Sequence, residues 1–201
     1  YPLWRDTALD MAFWCDGMER LLCVDVAKAY AYAANAPDVD QVLAVANSTK
    51  YGGAGYSDSD LATFAGANGW AAELALHEFG HGQGDLADEY DYGDGATYNG
   101  PEPLERNVST LDAEAMAATG TKWAPWLGES NPDFDGLVST YEGAAYCQYG
   151  LYRPTLHSKM RTLGRPFNLP SAEALVISFY HTVRPVDDAT PAGEVLDCND
   201  V

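Results

Sequence analysis

The sequence predicts an α/β fold, and three segments carry that expectation. Asp25 reads as the N-cap of a helix through Val26, Ala27, Tyr30 and Ala34. Residues 40–47 form a short run, continuously apolar in the middle, that suits a buried strand in a sheet covered on both faces. Residues 70–82 form the strongest helix of the chain, with Asn68 as its N-cap. Helix, strand and helix in that order describe an α/β N-terminal lobe.

The remaining elements follow along the chain. Residues 7–15 read as a short helix or turn, and Asn35-Ala36-Pro37 ends the first helix. Between Lys50 and Tyr56, three glycines permit a tight turn or a close backbone approach to a ligand. The segment lacks the Gly-Lys-Ser/Thr ending of a phosphate loop. Gly80, Gly82 and Gly84 fall where the chain is expected to leave the second helix. Residues 83–136 are turn-rich and hold Pro101, Pro103, Pro125 and Pro132. A loop region of that length has a function or is held by ions. A last helix runs from Ser171, as N-cap, to Val183, and Pro185 closes it.

With 201 residues the chain is long enough for a single domain with a full core, folded as two lobes around a cleft. Thirty acidic and 11 basic residues give a net charge of −19. That field repels phosphate backbones and anionic membranes, so no nucleic-acid partner is expected. It suits a salty extracellular medium or bound divalent cations. No stretch approaches the ~20 apolar residues of a membrane span. The opening Tyr1-Pro-Leu-Trp-Arg5, without an initiator Met or a signal segment, reads as the start of a processed or trimmed chain. Cys15, Cys23, Cys147 and Cys198 contain no close Cys-x-x-Cys pair. An even count in an acidic, exported chain suggests disulfides Cys15–Cys23 and Cys147–Cys198.

The chemistry concentrates in His77-Glu78-Phe79-Gly80-His81. Residues four apart share one helix face, so both imidazoles can bind one metal ion, and neutral imidazole is a standard zinc ligand. Glu78 lies beside them and can take a proton from a water that zinc has acidified. A catalytic zinc needs a third protein ligand and an open position. The residue ten after His77 is Ala87, which cannot bind. Asp88 is the expected ligand, with Glu89, Asp85 and His157 as alternatives. Asp91 and Asp94, in an acidic turn-rich loop, are candidate ligands of a structural calcium ion. A tyrosine among Tyr146, Tyr149 and Tyr152, with Tyr152 foremost, is a candidate for stabilising an oxyanion opposite the metal. Arg153 and Arg161 are expected in structural pairs.

The segment from His77 to Tyr90 resembles the zinc signature of the IgA-peptidase family of bacterial metallopeptidases. Residues 47–55, 122–128, 141–154 and 158–161 are also similar to segments of that family. The chain departs from it at Asp85, where members often carry Gly. The resemblance implies a metzincin-like fold with a mixed sheet over the active-site helix. It also implies an upper lobe over about residues 1–83, a smaller C-terminal lobe from about 84 to 201, and a Met-turn at Met160 ahead of the final helix. The implied activity is that of a secreted zinc endopeptidase acting on peptide or protein substrates. The alternatives from other classes are an extracellular binding module with a vestigial or structural metal, and a metal-dependent amidase.

Overall fold

A computed structural model describes residues 7–183 of the chain. Helix α1 spans Val26–Ala33, and the Asp25 carboxylate accepts from the Lys28 N–H at 3.0 Å, as the cap residue predicts. Ahead of it, strand β1 (Ala12–Phe13) pairs antiparallel with β2 (Leu22–Cys23). The Cys15–Cys23 disulfide, with Cα atoms 5.8 Å apart, closes the loop between them. The expected short helix or turn over 7–15 is present as turns at Ala8–Leu9 and from Cys15, with the strand residues Ala12–Phe13 between them. Cys198 and Pro185 lie outside the described residues, and with them the Cys147–Cys198 pairing.

Three strands form a mixed sheet: β3 (Val42–Ala46), β4 (Gly53–Tyr56) and β5 (Leu61–Ala65), in the order β3-β5-β4. β3 runs parallel to β5, with Val42 opposite Leu61, and β4 runs antiparallel, with Tyr56 opposite the same residue. The buried central strand is β5, whose Leu61, Ala62, Thr63 and Ala65 are fully enclosed. The apolar run at β3 is instead an edge strand. Ala44 packs with Val24, Ala29 and Leu61, while Leu43 and Val45 are 45% and 51% exposed. A short apolar run does not distinguish a central strand from an edge one.

Helix α2 (Ala71–Gly84) lies across β4 and β5. Its N-cap is Trp70, whose N–H donates to the Asn68 side chain at 2.8 Å. Gly80, Gly82 and Gly84 do not mark the helix exit; they are buried within it. The reason is close packing: a Cβ on Gly80 would stand 2.7 Å from the sulfur of Met160. The exit comes at Asp85, in the left-handed conformation with φ 47°.

The long segment after α2 is tied down by side chains reaching backbone. Asn107 exchanges two hydrogen bonds with Ala87, at 2.9 and 2.8 Å. The Lys122 ammonium donates to the carbonyls of Pro103 and Glu105, at 2.5 and 2.7 Å, and the Trp123 indole donates to Ser139 at 2.8 Å. Helix α3 (Ala113–Thr119) anchors a small core of Met116, Trp123 and Val138. Strands β6 (Tyr141–Ala144) and β7 (Cys147–Arg153) form an antiparallel hairpin. Helix α4 (Leu169–Thr182) packs on α2, with the Gln83 amide donating to the Ser178 hydroxyl at 2.7 Å. Its N-cap is Asn168 rather than Ser171: the Asn168 side chain accepts from the Ser171 N–H at 3.0 Å, and Pro170 fits the first turn, where no N–H is needed. No helix among the described residues is long and apolar enough to cross a membrane.

Candidate metal centre

α2 places His77 and His81 one turn apart on the face that looks into a cleft of about 1170 Å³. Their Nε2 atoms stand 3.2 Å from one another. The left-handed turn at Asp85 reverses the chain, and Asp88 Oδ1 arrives 3.1 Å from His77 Nε2 and 3.4 Å from His81 Nε2. Among the described residues these three form the one group of metal-ligating side chains.

The second nitrogen of each imidazole faces a backbone carbonyl. His77 Nδ1 lies 3.0 Å from Lys159 O, and His81 Nδ1 lies 2.6 Å from Leu86 O. A carbonyl only accepts, so each Nδ1 carries the proton and each Nε2 presents a lone pair to the centre. Asp88 Oδ1 is buried and has no hydrogen-bond partner. With both imidazoles neutral, as a bound ion requires, two lone pairs and an anionic oxygen converge with no donor among them. That donor set, two neutral nitrogens and one carboxylate, fits a divalent transition ion of the zinc type.

The electrostatics agree. Burial pushes the Asp88 carboxyl up, but its contacts with His77 and His81 hold it well below the usual carboxylate range. Burial pulls the His81 imidazole down, and the adjoining Asp88 carboxylate more than offsets this, raising it to about 9, so that without an ion a proton occupies the middle of the cluster. The cluster favours a positive charge at its middle.

The other oxygen of Asp88 accepts from the Tyr146 hydroxyl at 2.5 Å. Tyr146 sits at the tip of the β6–β7 hairpin. The Ala145 N–H donates to the Asp88 carbonyl at 2.8 Å, and the Tyr146 N–H donates to the Tyr90 carbonyl at 3.0 Å. Tyr152, expected near the metal, is instead embedded in the β7 ladder. Its backbone exchanges hydrogen bonds with Ser109, at 2.8 and 3.1 Å, and it does not line the cleft. Tyr146 lies in the turn ahead of β7, and that turn, not strand alternation, carries it to the cleft.

Glu78 is 6% exposed, and burial raises its carboxyl above the usual range. β4 lies directly against this face of α2. A Cβ on Gly53 would stand 2.8 Å from Glu78 Oε1, and one on Gly55 would stand 2.6 Å from the His81 Cβ. The glycines of residues 50–56 thus serve a close approach, but to the helix itself.

The other candidates are placed elsewhere. Asp85 is exposed at the α2 C-cap, and His157 is exposed on a loop. Glu89 is fully enclosed and faces away from the imidazoles. It accepts from Ser158 Oγ at 2.6 Å, Asn107 Nδ2 at 3.0 Å and Asn168 Nδ2 at 3.0 Å. Asp91 and Asp94 do not converge. Asp91 accepts from the Gly93 N–H at 3.0 Å and pairs with Arg161 at 3.3 Å, while Asp94 accepts from the Ala96 N–H at 3.0 Å. Met160 is buried under Gly80 beside Phe167, and the Lys159 carbonyl just before it receives His77. Sequence patterns carry no signal for the Leu86 and Lys159 carbonyls, because a backbone acceptor belongs to every residue type. Arg20, which reaches the cleft from the loop before β2, is likewise without a motif.

No curated protein matches the chain. A family model described as IgA Peptidase M64 matches residues 2–135, two-thirds of the sequence, including all of α2 and the turn to Asp88. The same family is the one that the segment from His77 to Tyr90 resembles, and on this match the chain belongs to the IgA Peptidase M64 family of peptidases.

Proposed function

We propose that the chain is a secreted bacterial zinc metalloendopeptidase. The observation that carries this reading is the convergence of His77 Nε2, His81 Nε2 and Asp88 Oδ1, with each imidazole Nδ1 facing a backbone carbonyl. The three side chains would hold the ion at the cleft. When bound, zinc supplies Lewis acidity, lowering the pKa of a water from about 15.7 toward ~7 and polarising the scissile carbonyl. Glu78 takes the proton of the attacking water and delivers it to the leaving amine. Its burial favours this, because a carboxylate poorly solvated by bulk water accepts a proton more readily. Tyr146 orients Asp88, and Met160 forms an apolar floor below the ligands in the manner of a Met-turn. The substrate lies between an upper lobe, up to about residue 83, and a lower one. The Cys15–Cys23 disulfide supports export.

The test is metal analysis joined to hydrolysis of a generic protein substrate. The purified chain is expected to hold about one zinc per molecule, to lose turnover with a zinc chelator and to regain it on zinc addition. Glu78→Gln is expected to keep the zinc and lose ~10²–10⁴-fold in kcat/KM, the usual worth of a general acid–base group. Turnover that persists in the variant, or that ignores chelation, would overturn the reading.

A further inference from the structure

We propose that Arg20 recognises a substrate carboxylate next to the scissile bond, so that the enzyme prefers peptides carrying an acidic group there. This deepens the peptidase reading and rests on it.

Carboxylates outnumber cations almost three to one in this chain, and most described cations, though not Arg106 or Arg153, are taken up in ion pairs. Lys28, Lys50, Lys122, Lys159, Arg161 and Arg165 each have an acidic partner within 4 Å. Arg20 is half-buried, lines the cleft and belongs to none of these pairs. Its Nη2 donates to the Tyr90 hydroxyl at 2.9 Å, and a further side-chain hydrogen bond joins it to Tyr92. The guanidinium has five donors in a planar fork that matches a carboxylate, so most of its capacity is unspent.

Its position is fixed relative to the reacting groups. The Arg20 carbonyl accepts from the Gly53 N–H at 3.2 Å, and Gly53 is the residue that abuts Glu78. Beside the metal cluster opens a second cavity of about 160 Å³, which shares His77, Glu78 and Arg20 with the main cleft. Arg20, Lys159 and Arg161 line it, and Glu78 is the sole acidic side chain in its wall. Glu73 and Asp91, the partners of Lys159 and Arg161, stand outside that wall. A molecule with a net charge of −19 therefore sets three cationic side chains, two of them ion-paired, in the wall beside Glu78. Long-range repulsion slows acidic ligands in general, so the local cation acts as a filter for where a carboxylate may sit.

The experiment uses the zinc-loaded chain and matched peptide pairs. One arm exchanges Gln for Glu at each position flanking the cleavage site, and the other exchanges a C-terminal amide for the free acid. These separate a side-chain carboxylate from a terminal one. The readouts are kcat/KM in the wild type, Arg20→Gln and Arg20→Lys, and Kd for the same pairs in the Glu78→Gln background. The wild type is expected to favour one acidic peptide ~10–100-fold over its neutral match, the range of a charge-assisted hydrogen bond. That ratio is expected to fall to near one in Arg20→Gln and to be retained in part in Arg20→Lys. A wild-type ratio near one at every position overturns the proposal. So does a ratio that survives Arg20→Gln, including the case where both peptides slow equally. If the wild type cleaves nothing, the peptidase reading fails, and the Kd ratio alone decides for or against the Arg20 assignment.

Discussion

Asp88 and Glu89 follow one another in the chain, both are buried, and both carry a carboxylate on a loop fixed to α2. Their surroundings are opposite. Glu89 is filled with neutral donors from Asn107, Ser158 and Asn168, and its own N–H donates to the Met160 carbonyl at 2.9 Å. It joins the long loop, the turn before Met160 and the start of α4. Asp88 leaves Oδ1 without a donor, facing two bare imidazole nitrogens. A buried carboxylate with every lone pair satisfied is a strut, and one with an oxygen left to two imidazoles fits the proposed metal-ligand role.

The largest expected effect breaks or confirms that contrast directly. In the metal-free chain, Glu89→Ala leaves several buried donors short of an acceptor and is expected to lower the unfolding free energy by about 2–4 kcal/mol. Asp88→Ala removes a carboxylate with fewer donors, held by the two imidazoles and the Tyr146 hydroxyl, and is expected to lower it by less than Glu89→Ala does. Zinc at about 100 times its Kd should stabilise the wild type by about 2.7 kcal/mol and Asp88→Ala by much less. Urea melts with chelator and with zinc measure both quantities. Equal losses in the two metal-free variants would mean that the neighbours do the same job.

A smaller effect sharpens the contrast on the Asp88 side. The Tyr146 hydroxyl is the donor to Asp88 Oδ2. Loss of such an outer partner weakens metal binding by ~10–100-fold, about 1.4–2.7 kcal/mol. Competition with a zinc indicator should show Tyr146→Phe in that range. Tyr152→Phe, in the β7 ladder, should leave zinc affinity near the wild-type value. Identical affinities in all three proteins would remove Tyr146 from the centre.

Which of these facts could be read from the sequence follows from the range of the forces involved. The pairing of His77 with His81 depends only on helical periodicity, and the Asp25 cap only on a contact three residues away. Both are local, and both are legible. The three glycines of α2 are equally visible, but their purpose is not. Gly80 answers to Met160, 80 residues later, and the sequence alone suggests a helix end instead. Residues 42–46 announce a strand but not its place at the edge, because that depends on where β5 inserts. The choice between Asp88 and Glu89, one residue apart, turns on the left-handed Asp85 and on which partners wait on each side. Tyr146 and Tyr152 look alike until the hairpin turn directs one into the cleft.

That hairpin turn carries the smallest prediction. Ala145 and Tyr146 both have positive φ, 45° and 67°, at a tip where Asn-Gly would be the unstrained choice. The left-handed conformation costs an ordinary residue about 1–2 kcal/mol, and glycine adds about 0.5–1 kcal/mol of unfolded-state entropy. Ala145→Gly is therefore expected to stabilise the chain by about 0.5–1 kcal/mol. The Ala145 N–H that donates to the Asp88 carbonyl is retained by glycine, so zinc affinity should stay within about twofold. A gain in stability with unchanged zinc binding would show that the strain is local to the tip. If zinc affinity fell together with the strain, the stiff tip would be part of what aims Asp88 at the imidazoles, and the ligand side of the contrast would extend to the hairpin backbone.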